Sequence, residues 1–225
     1  MTAPGRLRID LRPILLEAGF VVLGVVLAFA ANEWRQAAAN RRDARVAQTS
    51  VRSELRANRG AVQESLQYHV GLTDTLFTLL RASGPDGSQR PPPPDMRVFS
   101  NGFVHPAQLL STAWDAAGAT DAVRHMAYDD VLALAHVYEE QRDYRRQADL
   151  VGGIIYTGMF ERGMGGMLEN YANLANIISA FVYRECQLLA SYDSVLARRL
   201  EGDSATAPAA RPARCTQMER RQATG

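Results

Sequence analysis

The chain contains no lysine: all 25 of its basic residues are arginine, set against 24 acids, for a formal net charge of +1. That balance leaves no global field to gather nucleic acid, and the arginines are dispersed among acids instead of clustered on one stretch. With the high alanine content, the all-arginine set reads as genomic GC bias and not as a phosphate-binding device. The lack of lysine also removes the Lys-Ser or Lys-Thr that a phosphate loop needs, so Gly163-Met-Gly-Gly166 reads as a helix-helix turn. No HExxH pattern occurs and no serine stands in a nucleophile elbow, Ser111, Ser179 and Ser194 included. No segment of useful length alternates with the period of a strand, so the expected class is all-α. The chain offers no catalytic, cofactor-binding or metal-binding residues, and it is read as a non-enzyme without a cofactor.

One long apolar run is present. From Ile14 to Ala31 the chain is almost free of charge, and Asn32, Glu33 and Trp34 close it. Phe20, Val21, Val22, Leu23, Val25, Val26, Leu27 and Phe29 each favour insertion by roughly 0.3 to 0.6 kcal/mol, about 2 to 5 kcal/mol together. Glu17 sits near the start of the run, close enough to the headgroups to leave the hydrocarbon centre apolar. Trp34 suits the aromatic belt at the other boundary. We read residues 13–34 as a transmembrane anchor after a short tail, 1–12. A cleavable signal peptide is the competing reading, with Arg6, Arg8 and Arg12 as basic leader and Ala28-Phe29-Ala30 as a small-x-small site. Against cleavage, no helix breaker precedes that site, and strong helix formers continue through Ala47. Arginine counts on the two sides barely differ. The short N-terminal tail favours an N-inside signal-anchor with the bulk exported, so the C-terminal domain is expected to be periplasmic or extracellular. Membrane lipid is then an obligatory partner.

Gly24, Ala28 and Asn32 lie one turn apart, a small-residue stripe along which two anchors could pack as a homo-oligomer. Cys186 and Cys215 are the only cysteines. Paired, they would staple the tail to the last helix and indicate an oxidising compartment; two unrelated free thiols are the alternative.

After the anchor no proline occurs before Arg81, and Val51, Leu55, Val62, Leu66, Leu76 and Leu80 recur at helical spacing. Asn58, Ser65, His69 and Thr73 interrupt the stripe, so 35–82 is expected to be an amphipathic stalk helix with one partner, able to bend at Gly60 or Gly71. Residues 83–104, with Ser83-Gly-Pro-Asp-Gly and four consecutive prolines, form a Pro/Gly-rich linker on composition, read as a stiff spacer and not as a ligand for an aromatic groove. Residues 105–202 are expected to form an antiparallel helical bundle. Its pieces are a helix Ala107 to Ala117 with Pro106 in the first turn, a short piece Thr120 to Met126 capped by Thr120 or Asp121, a helix from Asp129 to about Phe160 with Gly152 and Gly153 allowing a kink, and a last helix from Leu168 to Arg199. Glu169, Asn173, Arg184 and Glu185 on that last helix mark it as a bundle helix in water and not a second span. Residues 203–225 lack periodicity and read as a disordered tail.

Glu17, Gly24, Ala28, Asn32 and Trp34, spaced E-x6-G-x3-A-x3-N-x-W, resemble the anchor of a family of bacterial single-pass membrane proteins of unknown function. Thr112-Ala-Trp-Asp-Ala-Ala-Gly-Ala-Thr-Asp-Ala122, Met126-Ala-Tyr128 and Val137-Tyr-Glu-Glu-Gln141 are similar to that family as well. The resemblance implies an anchor, a helical extramembrane domain and no assigned activity, and it carries no catalytic residues over. This chain departs from the family in replacing a lysine- and glutamate-rich post-anchor helix by alanine and arginine, and in its tetraproline.

His136, Glu139 and Glu140 with His125 nearby form a loose candidate metal cluster, read here as solvated surface, and Asp143 as solubilising charge. Trp114 is read as core. The overall expectation is a membrane-anchored structural or protein-interaction module, with a tethered ligand-binding or sensory helical domain as the alternative; the latter would need a cavity with convergent polar groups.

Overall fold

The computed structural model describes residues 11–82, 93–169, 171–197 and 212–216. Those residues are all-α: helices dominate and no strand occurs among them. Helix α1 runs without interruption from Leu11 to Arg81, 71 residues, or about 105 Å at the α-helical rise. Neither Gly60 nor Gly71 breaks it. Helix α2 is Thr112–Ala119, α3 is Tyr128–Leu168 and α4 is Tyr171–Leu196. Two 3-10 turns, Met96–Phe99 and Ala122–His125, lie on either side of α2 in the chain.

The two parts of α1 live in different surroundings. Its N-terminal part is long and apolar enough to cross a membrane, and none of that apolar window is buried within the molecule. From Ala44 onward one face is buried, with Val51, Leu55, Val62, Leu66 and Leu76 almost fully enclosed. The stalk helix thus continues into the bundle: from Ala44 to Leu76 the other helices pack against it. The polar residues that seemed to weaken its stripe, Asn58, Ser65, His69 and Thr73, are buried too; Asn58, Ser65 and His69 face polar partners and not water.

Side-chain pairs fix the helix directions. Arg59 meets Asp193 and His69 meets Glu185, so α4 runs antiparallel to α1. Glu54 meets Tyr138 and Asn58 meets Gln141, so α3 runs parallel to α1. The antiparallel bundle thus forms from α1, α3 and α4, and its core continues through Tyr144, Ile178, Phe181, Leu188 and Leu189.

Several boundaries differ from the sequence reading. Residues 102–111 are not helical, and α2 begins only at Thr112. Pro106 disfavours helical backbone at His105, and the backbone groups that a helix would pair internally are taken by side chains of α1 and α3, described below. Gly118 lies inside α2, which ends at Ala119 with Thr120 as its C-cap. Asp121 adopts a left-handed conformation before the second 3-10 turn instead of capping it with its side chain. Gly152 and Gly153 stay within regular helix, and the kink in α3 falls at Gly163, whose φ of +67° suits glycine. Of the expected linker, 83–92 lies outside the described residues, while Met96–Phe99 is capped by the Asp95 carboxylate and packs Phe99 into the core. Of the expected disordered tail, 203–211 and 217–225 lie outside the described residues. Residues 213–216 form one helical turn held to α4 by a disulfide between Cys186 and Cys215, and Arg214 reaches Asp74 on α1 at 3.4 Å.

Candidate functional site

The densest polar constellation is a ladder of side chains that grips the extended segment 102–111 and the first turn of α2. Going along α1, Glu54, Asn58, Ser65 and Tyr68 project toward that segment, at spacings that return to one helix face. The segment runs antiparallel to them. Glu54 Oε2 accepts from the Ala113 amide at 2.8 Å. Asn58 pairs with Leu110 as a strand would, donating to its carbonyl and accepting from its amide, both at 2.8 Å. Ser65 Oγ lies 2.6 Å from the His105 carbonyl. The Tyr68 hydroxyl donates to the Gly102 carbonyl, and Tyr144 of α3 accepts from the Ala107 amide at 2.9 Å. A non-helical segment inside a bundle needs partners for its backbone, and these side chains supply them.

Asn58→Ala removes both bonds to Leu110 and leaves an amide and a carbonyl without their partner. A loss of about 2 to 3 kcal/mol is expected, with faster hydrogen exchange confined to residues around Leu110. Unchanged exchange there would refute the ladder's role in holding the segment.

At the centre of the ladder, Ser65, His69 and Glu185 meet in full burial. His69 Nε2 accepts from the His105 amide at 3.0 Å, so its ring proton sits on Nδ1 and donates to Glu185 Oε1 at 2.9 Å. Ser65 Oγ also reaches Oε1 at 2.6 Å, and the Tyr144 hydroxyl donates to it at 3.2 Å. Burial pushes the phenols of Tyr144, Tyr192 and Tyr138 up, and the bond to Glu54 raises Tyr138 further, so all three stay protonated. Tyr138 donates to Glu54 Oε1 at 2.6 Å and stacks on Trp114 at 5.2 Å between ring centroids.

The residue types are those of a serine nucleophile, a base and an orienting carboxylate, but the connections differ. In a nucleophilic triad the serine donates to the histidine nitrogen that will take its proton. Here that nitrogen is occupied by a backbone amide, and Ser65 turns to the carboxylate and the His105 carbonyl. With all three side chains enclosed, the cluster joins α1, α4 and the extended segment into one unit. Sequence reading did not find it. Its signal was the spacing of Glu54, Asn58, Ser65 and His69 along a single apolar face of α1, together with Glu185 about four turns into α4.

The loose histidine cluster is not assembled. Exposed His136 approaches the half-buried Glu140 to 3.5 Å, Glu139 pairs with Arg142, and His125 is exposed on the second 3-10 turn. Among the described residues no group of three or more His, Cys, Asp or Glu could hold a metal ion. The Asp143 carboxyl is held below the usual range by its hydrogen bond from Arg146, as a surface charge network would do. Ser111, which precedes α2, donates to the Asp115 carboxylate in its first turn at 3.0 Å.

An open cleft of about 350 Å³ lies between the extended segment and α3, lined by Phe103, Val104, Pro106, Gly152, Gly153 and Tyr156 among others. Asp149 is the single carboxylate among its lining residues.

No protein-family model, curated protein or solved structure matches this chain.

Proposed function

We propose that this protein is a single-pass, membrane-anchored module for protein interaction, with its N-terminus inside and its helical bundle outside the cytoplasm of a bacterium. The observation that carries the proposal is the division of α1. An exposed apolar segment long enough to span a bilayer continues, without a break, into the buried central helix of the bundle. A rigid helix so shared holds the bundle at a set distance from the membrane: from Trp34 to Arg81 is about 70 Å at 1.5 Å per residue. The Cys186–Cys215 disulfide supports the exported orientation, because such bonds persist in oxidising compartments. The resemblance to bacterial single-pass proteins supports the same placement.

Retention of the anchor is tested by alkaline carbonate extraction together with the mass of the mature N-terminus. The intact chain is expected in the pellet, and Val25→Arg, which costs about 3 kcal/mol at the centre of the span, should shift it to the supernatant. Release of the unsubstituted protein, or a new terminus near Ala31, would refute the anchor.

A further inference from the structure

The solvent face of α3 changes character midway. From Asp129 to Asp149 it presents charge, including Glu139, Arg142 and Arg146. From Leu150 to Phe160 no charged residue occurs, and Leu150, Ile154, Tyr156 and Phe160 stand exposed although Val151 and Ile155 of the same turns are buried. Phe160 is 93 % and Tyr156 73 % accessible. A helix that is apolar on every side is normally covered on every side.

We infer that this face of α3 is the contact between two copies of the chain, packed about a two-fold axis along the membrane normal. Four observations select that occupant. First, residues 83–92, 198–211 and 217–225 hold only Leu200 and Met218 as large apolar residues that could cover it.

Second, the anchoring membrane is out of reach. The pairing of Glu54 with Tyr138 and Asn58 with Gln141 sets Phe160 level with the turn of α1 around Leu76, about 60 Å beyond Trp34. The face also lacks the arginine fringe of an interfacial helix, with Glu161 and Arg162 cancelling each other.

Third, the area suffices. Phe160, Tyr156, Leu150, Ile154 and Met164 together expose roughly 600 Å², so two copies would bury about 1,200 Å², the lower bound of a specific interface.

Fourth, the geometry closes. Copies anchored in one membrane carry this face at the same height, which is the condition for an isologous contact. Sharing a bilayer also raises their effective concentration. Gly153 has open space where a Cβ would stand, so the partner helix can approach closely beside Tyr156 and the cleft at Gly152.

The inference rests on the anchored-module reading for the parallel orientation, equal height and shared bilayer of the copies, and for setting the membrane out of reach; the exposed apolar face and its area do not depend on it. It is tested on the full chain, purified in mild detergent and reconstituted in lipid nanodiscs. A dimer is expected, weakened at least a hundredfold by Tyr156→Glu with Phe160→Glu; both side chains are exposed, so the thermal melt of the double variant should match the parent. In native membranes, Thr157→Cys should cross-link between copies under mild oxidation, and Arg142→Cys on the charged half of the same helix should not. A monomer in nanodiscs would overturn the inference, as would a dimer that survives the double substitution, one lost only on Gly24→Leu in the anchor, or a monomer whose double variant loses binding to protein-free phosphatidylcholine vesicles. A chain that stays in the carbonate pellet yet is monomeric refutes the dimer and leaves the anchor standing. A chain that carbonate releases but that dimerises through Phe160 refutes the anchor and supports this contact.

Discussion

His69→Leu is expected to lower the stability of the bundle by about 4 kcal/mol, since each of the two buried groups it strands costs roughly 1 to 3 kcal/mol. The substitution deletes the donor to Glu185 Oε1 and the acceptor of the His105 amide together. Both partners stay enclosed, with water unable to replace what was lost. Glu185 would retain only Ser65 and Tyr144, and its other oxygen already has no hydrogen-bond partner among the described residues. For a chain of this size the melting temperature should fall by about 8 to 16 °C, read by circular dichroism in detergent. Combining His69→Leu with Glu185→Leu removes the stranded carboxylate, so the double variant should be more stable than the sum of the singles by about 1 to 3 kcal/mol. Strict additivity would show that the two side chains are not coupled as their 2.9 Å contact requires.

Cys215→Ser should produce the next largest loss. The Cys186–Cys215 bond closes a loop with a sequence separation of 29, for which chain-entropy reasoning gives about 3.6 kcal/mol. The substitution also frees the turn at 213–216 from α4 and with it the reach of Arg214 to Asp74. Reductant should lower the melting temperature of the parent by a similar amount and leave the variant unchanged. The same bond reports sidedness. In freshly isolated membranes the thiols should resist maleimide until reduced, because Cys186 and Cys215 are oxidised and buried. Free thiols before reduction would place the bundle on the reducing side and overturn the exported orientation.

How far sequence could be read varied along the chain for physical reasons. Periodicity marks α1 and α4 because one face of each is buried over many turns, and the same averaging hides single exceptions. Glu185 stands beside Arg184 and looks like solvent-facing charge, yet it points inward and is fully enclosed. Asn58 and Ser65 look like flaws in a stripe when the segment they bind lies 52 and 40 residues further on. Residues 107–111 have acceptable helical composition, and only their long-range partners make the extended form better. The exposed face of α3 was hidden for the opposite reason: Leu150 to Phe160 reads as core on composition, and nothing local says that half of it lacks a neighbour.

Local composition alone accounts for the all-α class and for the membrane-compatible start of α1, since hydropathy and helical period depend on residues a few positions apart. The ladder between α1 and the extended segment, the enclosed Ser65–His69–Glu185 cluster, the joining of Cys186 to Cys215 and the bare face of α3 arise from contacts between residues tens of positions apart. Their energies are set by which groups the packed helices enclose together, and no window along the chain contains both sides of those contacts.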